Sequence, residues 1–266
     1  MEQFLFRVKL VGFFLCFTLL CEAKVKLPAL ISDGMVLQRE QNVRVWGWAD
    51  PNESVTINFR KKKYTTQADA EGNWTITLPP TKAGGPYTMY INELEIKNVL
   101  MGDVYLCSGQ SNMELPINRV TDLYQEEVEA YTNPSIRYVK VPLKYDFNNP
   151  LEDIDQIVWK ELNPTNAMQF SALAYFFAQK IYEDSKTPVG VINSSVGGSP
   201  VEAWISEEGL KPFPKYLNER DLYRSDEENT SARNAECMKN DRWNKLLNKS
   251  EAGLHDSVNW FRSHYK

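Results

Sequence analysis

Between residues 43 and 91 apolar side chains recur at every second position, and beyond residue 100 that rhythm stops. Val43 and Val45 lead into Trp46-Gly47-Trp48. Val55, Ile57 and Phe59 alternate with Thr56 and Asn58. Trp74, Ile76 and Leu78 alternate with Thr75 and Thr77, and Tyr87, Met89 and Ile91 follow the same rule. A period of two belongs to strands with one buried face. Asp50-Pro51-Asn52, Glu71-Gly72-Asn73 and the stretch from Pro79-Pro80 to Gly84-Gly85-Pro86 supply turns between them. Residues 24–100 are therefore expected to form a small antiparallel β-sandwich. Arg60-Lys61-Lys62-Lys63 reads as a solvated hairpin edge, where lysine discourages further strand pairing.

The second half of the pattern is α/β. Val104-Tyr105-Leu106-Cys107 is a short apolar run, and Ile136 to Val141 reads as another strand. Phe170, Leu173, Ala174, Phe177 and Ile181 recur at helical spacing, which predicts a helix over 168–184. Pro188 to Ile192 is a buried strand running into Asn193-Ser194-Ser195-Val196-Gly197-Gly198-Ser199. Strand, helix and strand with polar loops after the strands predict a parallel sheet, in which ligands bind at the carboxyl ends. This α/β portion is placed at 101–206. Residues 207–266 are charged, with helices expected near 215–224 and 232–248.

Composition excludes several classes. The chain has 266 residues, 42% hydrophobic and 24% charged, which is the balance of a folded protein. Its net charge of −5 argues against nucleic acid as a partner. Arg7 and Lys9, the apolar run Leu10–Leu20 and Cys21-Glu22-Ala23 read as a secretory signal peptide over 1–23, too short to span a bilayer. A periplasmic or secreted location is expected, with no membrane contact beyond that segment. A lipid anchor on Cys21 is the weaker alternative. The mature chain keeps Cys107, read as a buried thiol, and Cys237. Two histidines, His255 and His264, make a histidine-built metal site improbable. Asn52, Asn73, Asn193, Asn229 and Asn248 begin Asn-x-Ser/Thr triplets. Oligomeric state is not legible.

Chemistry concentrates in Gly102 to Glu114. A serine on the tight turn after a strand suits a nucleophile, with backbone N–H groups near any oxyanion. Ser111-x-x-Glu114 also fits a capping box, Ser111 capping a helix and Glu114 reaching back. Both readings stand, and they are compatible. In the second loop Gly197-Gly198 would let the backbone approach a ligand.

Met35-Val36-Leu37-Gln38-Arg39, Val45 to Asp50 and Gly72-Asn73-Trp74 resemble the N-terminal β domain of sialate O-acetylesterases. Cys107 to Met113 resembles their nucleophile block. Phe170-Ser171-Ala172, Tyr175 to Ala178, Pro188 to Ile192, Gly197-Gly198-Ser199 and Glu202-Ala203-Trp204 continue the likeness in order. These enzymes are SGNH hydrolases, serine esterases on a flavodoxin-like sheet. The resemblance implies Ser111 as nucleophile and the N–H groups of Ser111 and Gly198 as oxyanion donors. It implies Gln110 and Asn112 as shapers of the turn, and Glu202 with Trp204 as a wall behind the Gly197-Gly198 loop. Acyl transfer through an acetyl-serine needs no metal or organic cofactor. The implied partner is an O-acetylated sialic acid or another acetylated glycan. Acetyl-xylan esterase activity, or glycan binding without catalysis, are the alternatives.

Two blocks of the family do not occur in these residues: a Gly-Glu-x-Asn segment for a further oxyanion donor, and an Asp-x-x-His segment for the general base. His255 precedes Asp256 but follows no Asp at that spacing. Ala252-Gly253-Leu254 and Trp260 resemble the entry into an inserted β domain. The chain is thus expected to be the N-terminal part of a longer enzyme, inactive by itself.

Overall fold

The computed structural model describes residues 25–144, 148–224 and 226–249. The expected signal peptide, with Cys16 and Cys21, lies outside them, as do His255 and His264. The described residues divide into two compact units, those of 25–143 with 152–198 and those of 144–151 with 199–249.

The alternating segments of the first unit become strands where their rhythm places them. They are β1 (Val36–Gln38), β2 (Val43–Trp48), β3 (Ser54–Phe59), β4 (Lys62–Gln67), β5 (Asn73–Leu78) and β6 (Gly84–Ile91). β4 begins at Lys62 and Lys63, within the stretch read as a solvated hairpin edge. It is the edge strand of its sheet, consistent with its lysines. Arg60 and Lys61 both take positive φ, 50° and 62°, in the two-residue turn that joins it to β3.

β7 (Leu94–Gly109) is a long strand with two sets of neighbours. Its first half pairs antiparallel with β6 and parallel with β1, whereas its second half pairs parallel with β10 (Val189–Ser195). β10 then pairs parallel with β8 (Asn133–Lys140), and β9 (Lys160–Leu162) closes the row antiparallel to β8. The result is one mixed eight-stranded sheet, with β2 and β5 forming a separate antiparallel pair. The expected junction at residue 100 falls inside β7, which crosses it without interruption.

Two hydrophobic clusters follow. Val45, Trp74, Ile76 and Leu78 from the β2–β5 pair bury against Val55, Ile57, Met89, Ile91 and Val99 of the larger sheet. The second cluster lies under the helix expected at 168–184, which here is α4 (Ala172–Ser185). Three short helices precede it: α1 (Ser111–Glu114), α2 (Thr121–Ala130) and α3 (Pro164–Ala167). α4 starts later than the periodicity suggests because Ser171 caps it, accepting from the Ala174 N–H at 3.2 Å. Ala174, Tyr175 and Ala178 face the sheet, where Tyr138, Val189, Val191 and Cys107 meet them. The buried Cys107 is a free thiol whose pKa is pushed up by burial.

The second unit holds a 3-10 turn (Val201–Trp204), α5 (Glu207–Leu210), α6 (Pro214–Tyr223) and α7 (Asp226–Lys249). Ser206 caps α5 through the Gly209 N–H, and Arg220 reaches Glu207 at 2.7 Å and Asp221 at 2.8 Å. No helix among the described residues is long and apolar enough to cross a membrane.

Candidate active site

Two loops leave the sheet side by side. β7 and β10 run parallel in register through Ser108↔Ser194 and Gly109↔Ser195, so both polar segments emerge at one carboxyl edge. The Val196 N–H continues the ladder by donating to the Gly109 carbonyl at 2.9 Å. Gly109 takes φ +143°, a conformation that favours glycine, and the chain turns there into α1.

Ser111 is the first residue of α1, and its side chain caps nothing. Gln110 holds the cap position, without a side-chain bond to the helix N–H groups. The capping-box reading is therefore corrected. Glu114 turns away from the helix start and accepts a 2.5 Å hydrogen bond from the Gly197 N–H through Oε2. Its other oxygen, Oε1, lies 3.6 Å from Lys140 Nζ at the end of β8. Ser111, freed from capping, is exposed, as are Gln110 and Asn112.

The contact through Glu114 draws the glycine loop over the serine. A Cβ added to Gly197 would lie 3.7 Å from Ser111 Cα and 2.6 Å from Glu114 Oε2. A side chain at 197 would thus displace the Glu114 carboxylate. Gly198 is a glycine for conformation: its φ is +78°, and a Cβ there would meet nothing within 4 Å. The Ser111 and Gly198 N–H groups donate to no other described residue.

Beneath the loops, buried polar groups tie the elements together. Asn193 is buried on β10, donating from Nδ2 to the Met113 carbonyl at 3.3 Å and accepting from Ser195 Oγ at 2.8 Å. An asparagine so enclosed is no acceptor for a glycan. Ser171 Oγ meets Met113 Sδ at 3.7 Å, and the Ala172 N–H donates to the Leu115 carbonyl at 2.8 Å. The start of α4 therefore braces the segment just after Ser111. Tyr138, stacked on Phe170 with ring centroids 4.1 Å apart, accepts from the Ser171 N–H, and burial raises its pKa to about 12.

The structure thus brings together Gln110, Ser111, Asn112, Gly197 and Gly198 in one unit. Glu202 and Trp204 belong to the second unit, where Trp204 Nε1 donates to Ser199 Oγ at 2.8 Å. Sequence reasoning missed Lys140 and the bridging part of Glu114. Neither position carries a local signal, because their meeting depends on which strands are neighbours. Among the described residues no group of three metal-ligating side chains gathers.

A family model of carbohydrate esterases, the sialic acid-specific acetylesterases, matches residues 101–233, half of the chain and the span that holds both loops. The chain belongs to this acetylesterase family. Sialate O-acetylesterase of Homo sapiens is 31% identical over an alignment of 209 residues that covers 70% of this chain and 40% of the human protein. That of Rattus norvegicus is 30% identical over 221 residues, covering 74% of this chain and 41% of its own length. Among solved structures, a carbohydrate acetylesterase from Xanthomonas citri superposes with a TM-score of 0.67 at 39% identity, over 70% of this chain and 43% of its own. The chain spans about two-fifths of the length of these acetylesterase relatives.

Proposed function

We propose that this chain carries the nucleophile and oxyanion loops of a serine esterase that removes O-acetyl groups from sialic acids or related glycans. One observation carries the reading: the Gly197 loop sits over Ser111 at a shared carboxyl edge, tied there by Glu114. A flavodoxin-like SGNH sheet preceded by a small β-sandwich is the architecture this reading assumes.

In this reaction Ser111 Oγ bonds to the acetyl carbonyl carbon while its proton passes to a general base. The Ser111 and Gly198 N–H groups donate to the oxygen as it becomes an oxyanion, when such bonds count most. Collapse breaks the ester C–O bond, and the proton goes to the departing sugar oxygen. Water then hydrolyses the acetyl-serine by the same route. Gln110 and Asn112 flank the nucleophile on the same turn. The apolar run at Leu10–Leu20 and Ala23 supports export as part of this reading, which would bring the enzyme to extracellular glycans. The base and a further oxyanion donor belong to motifs that these residues do not contain, so the 266-residue chain alone is expected to be inactive.

Deacetylation of O-acetylated sialic acid by the whole natural protein, wild type against Ser111→Ala, tests the assignment. Activity should fall by about 10⁴-fold or more, since a hydrolase without its nucleophile keeps only the residual catalysis of its oxyanion site. Equal activity in both proteins overturns Ser111 as nucleophile. Retained glycan affinity without any turnover in the wild type favours a binding protein, and faster turnover of acetyl-xylan moves the substrate class.

A further inference from the structure

We infer that Glu114 is a positioning residue of the oxyanion site, holding the glycine loop in place through the Gly197 N–H. The inference rests on the esterase reading above and adds a residue to it. Glu114 stands three positions after Ser111 on α1, so one four-residue turn links the nucleophile and the anchor rigidly. Its two oxygens divide their work: Oε2 takes the Gly197 N–H at 2.5 Å, and Oε1 faces Lys140 Nζ at 3.6 Å. Lys140 ends β8, whose neighbour β10 leads into the glycine loop, so the carboxylate spans α1, β8 and that loop.

The geometry selects this role over two others. Glu114 does not cap its helix, since the cap position carries no side-chain bond. As an exposed ion pair with Lys140 it contributes little to stability, both side chains being partly solvated at 27% and 43% exposure. What it uniquely restrains is Gly197. The next residue, Gly198, adopts φ +78° with open space on its Cβ side, and no described residue takes its N–H. A backbone that free in its own conformation needs an outside anchor to aim one N–H repeatedly at one point. A charge-assisted hydrogen bond to the residue immediately before it is such an anchor.

The test uses Glu114→Ala and Glu114→Gln in the whole natural protein, with Ser111→Ala alongside, read by two measurements. Amide hydrogen exchange at Gly197 reports the anchor without any turnover. Steady-state hydrolysis of p-nitrophenyl acetate reports its consequence. Glu114→Ala should raise Gly197 exchange by about tenfold or more while core amides stay protected. It should lower kcat by about 10²-fold with KM nearly unchanged, the signature of a lost transition-state interaction. Glu114→Gln, which keeps an acceptor oxygen, should recover most of both. Unchanged exchange at Gly197 in Glu114→Ala overturns the anchor. Faster exchange with wild-type kcat overturns its part in catalysis. Equal kcat loss in both Glu114 variants with exchange intact would make Glu114 a direct participant, which also overturns the inference. Full activity in Ser111→Ala instead defeats the esterase reading itself, whatever the Glu114 variants do.

Discussion

Gly197 and Gly198 are adjacent and identical, yet a side chain would meet a different obstacle at each. Gly198 needs its left-handed φ of +78° and has room for a side chain, whereas Gly197 has no such φ and lies against the Glu114 carboxylate. An alanine methyl at 197 would meet the Glu114 carboxylate at 2.6 Å, and the flexible carboxylate, not the backbone, would yield. Gly197→Ala should therefore reproduce the kinetic defect of Glu114→Ala with under about 1 kcal/mol of lost stability, since the broken bond lies at the surface. A double-mutant cycle checks this. The two substitutions share one interaction, so the double variant should be barely worse in kcat than either single one. Additive losses would show that Gly197 matters for something other than the Glu114 bond.

At the scale of elements, the start of α4 deserves the weight that helical periodicity alone did not assign. Periodicity from Phe170 to Ile181 revealed the helix but blurred its beginning, because Phe170 is buried before the helix starts. Ser171 sets the boundary. It caps α4, its N–H reaches Tyr138, and its hydroxyl touches Met113 two residues after Ser111. Ser171→Ala should cost about 1–2 kcal/mol, seen as a lower urea midpoint with an unchanged slope. The same substitution loosens the brace on the α1 segment. The strand β4 is legible by its lysines rather than by alternation: an edge strand of lysines and threonines buries too little to alternate.

For the molecule as a whole, the core beneath α4 sets an alkaline limit. Tyr138 and Tyr175 are almost fully buried, and burial raises each pKa from 10.0 to about 12. A tyrosine in the folded chain then holds its proton more tightly than in the unfolded chain. Stability is fully present below about pH 10 and is lost as pH rises toward 12, because the unfolded state ionises first. Thermal melts should show a midpoint flat through neutral pH and falling above pH 10. The Tyr175 hydroxyl has no hydrogen-bond partner among the described residues, so Tyr175→Phe should keep or raise stability at pH 8 and soften the alkaline fall. A loss of more than about 1 kcal/mol at pH 8 would reveal a partner for that hydroxyl in solution, such as a buried water.

The sequence alone determined what depends on neighbours along the chain. Period-two alternation marked β2, β3, β5 and β6, apolar runs ahead of Gly/Ser loops marked β10 and the second half of β7, and ordered motifs marked the acetylesterase family. Tertiary structure alone decided what depends on strand order. It made β7 one strand common to both halves of the first unit, where composition suggested a junction at 100. It placed β10 between β7 and β8, and so set Glu114, Lys140 and Gly197 against one another although they are far apart in the chain. A capping box can be read from four residues, because a helix turn closes over that distance. Its replacement by a bond across loops cannot, because the competing acceptor is chosen by the fold.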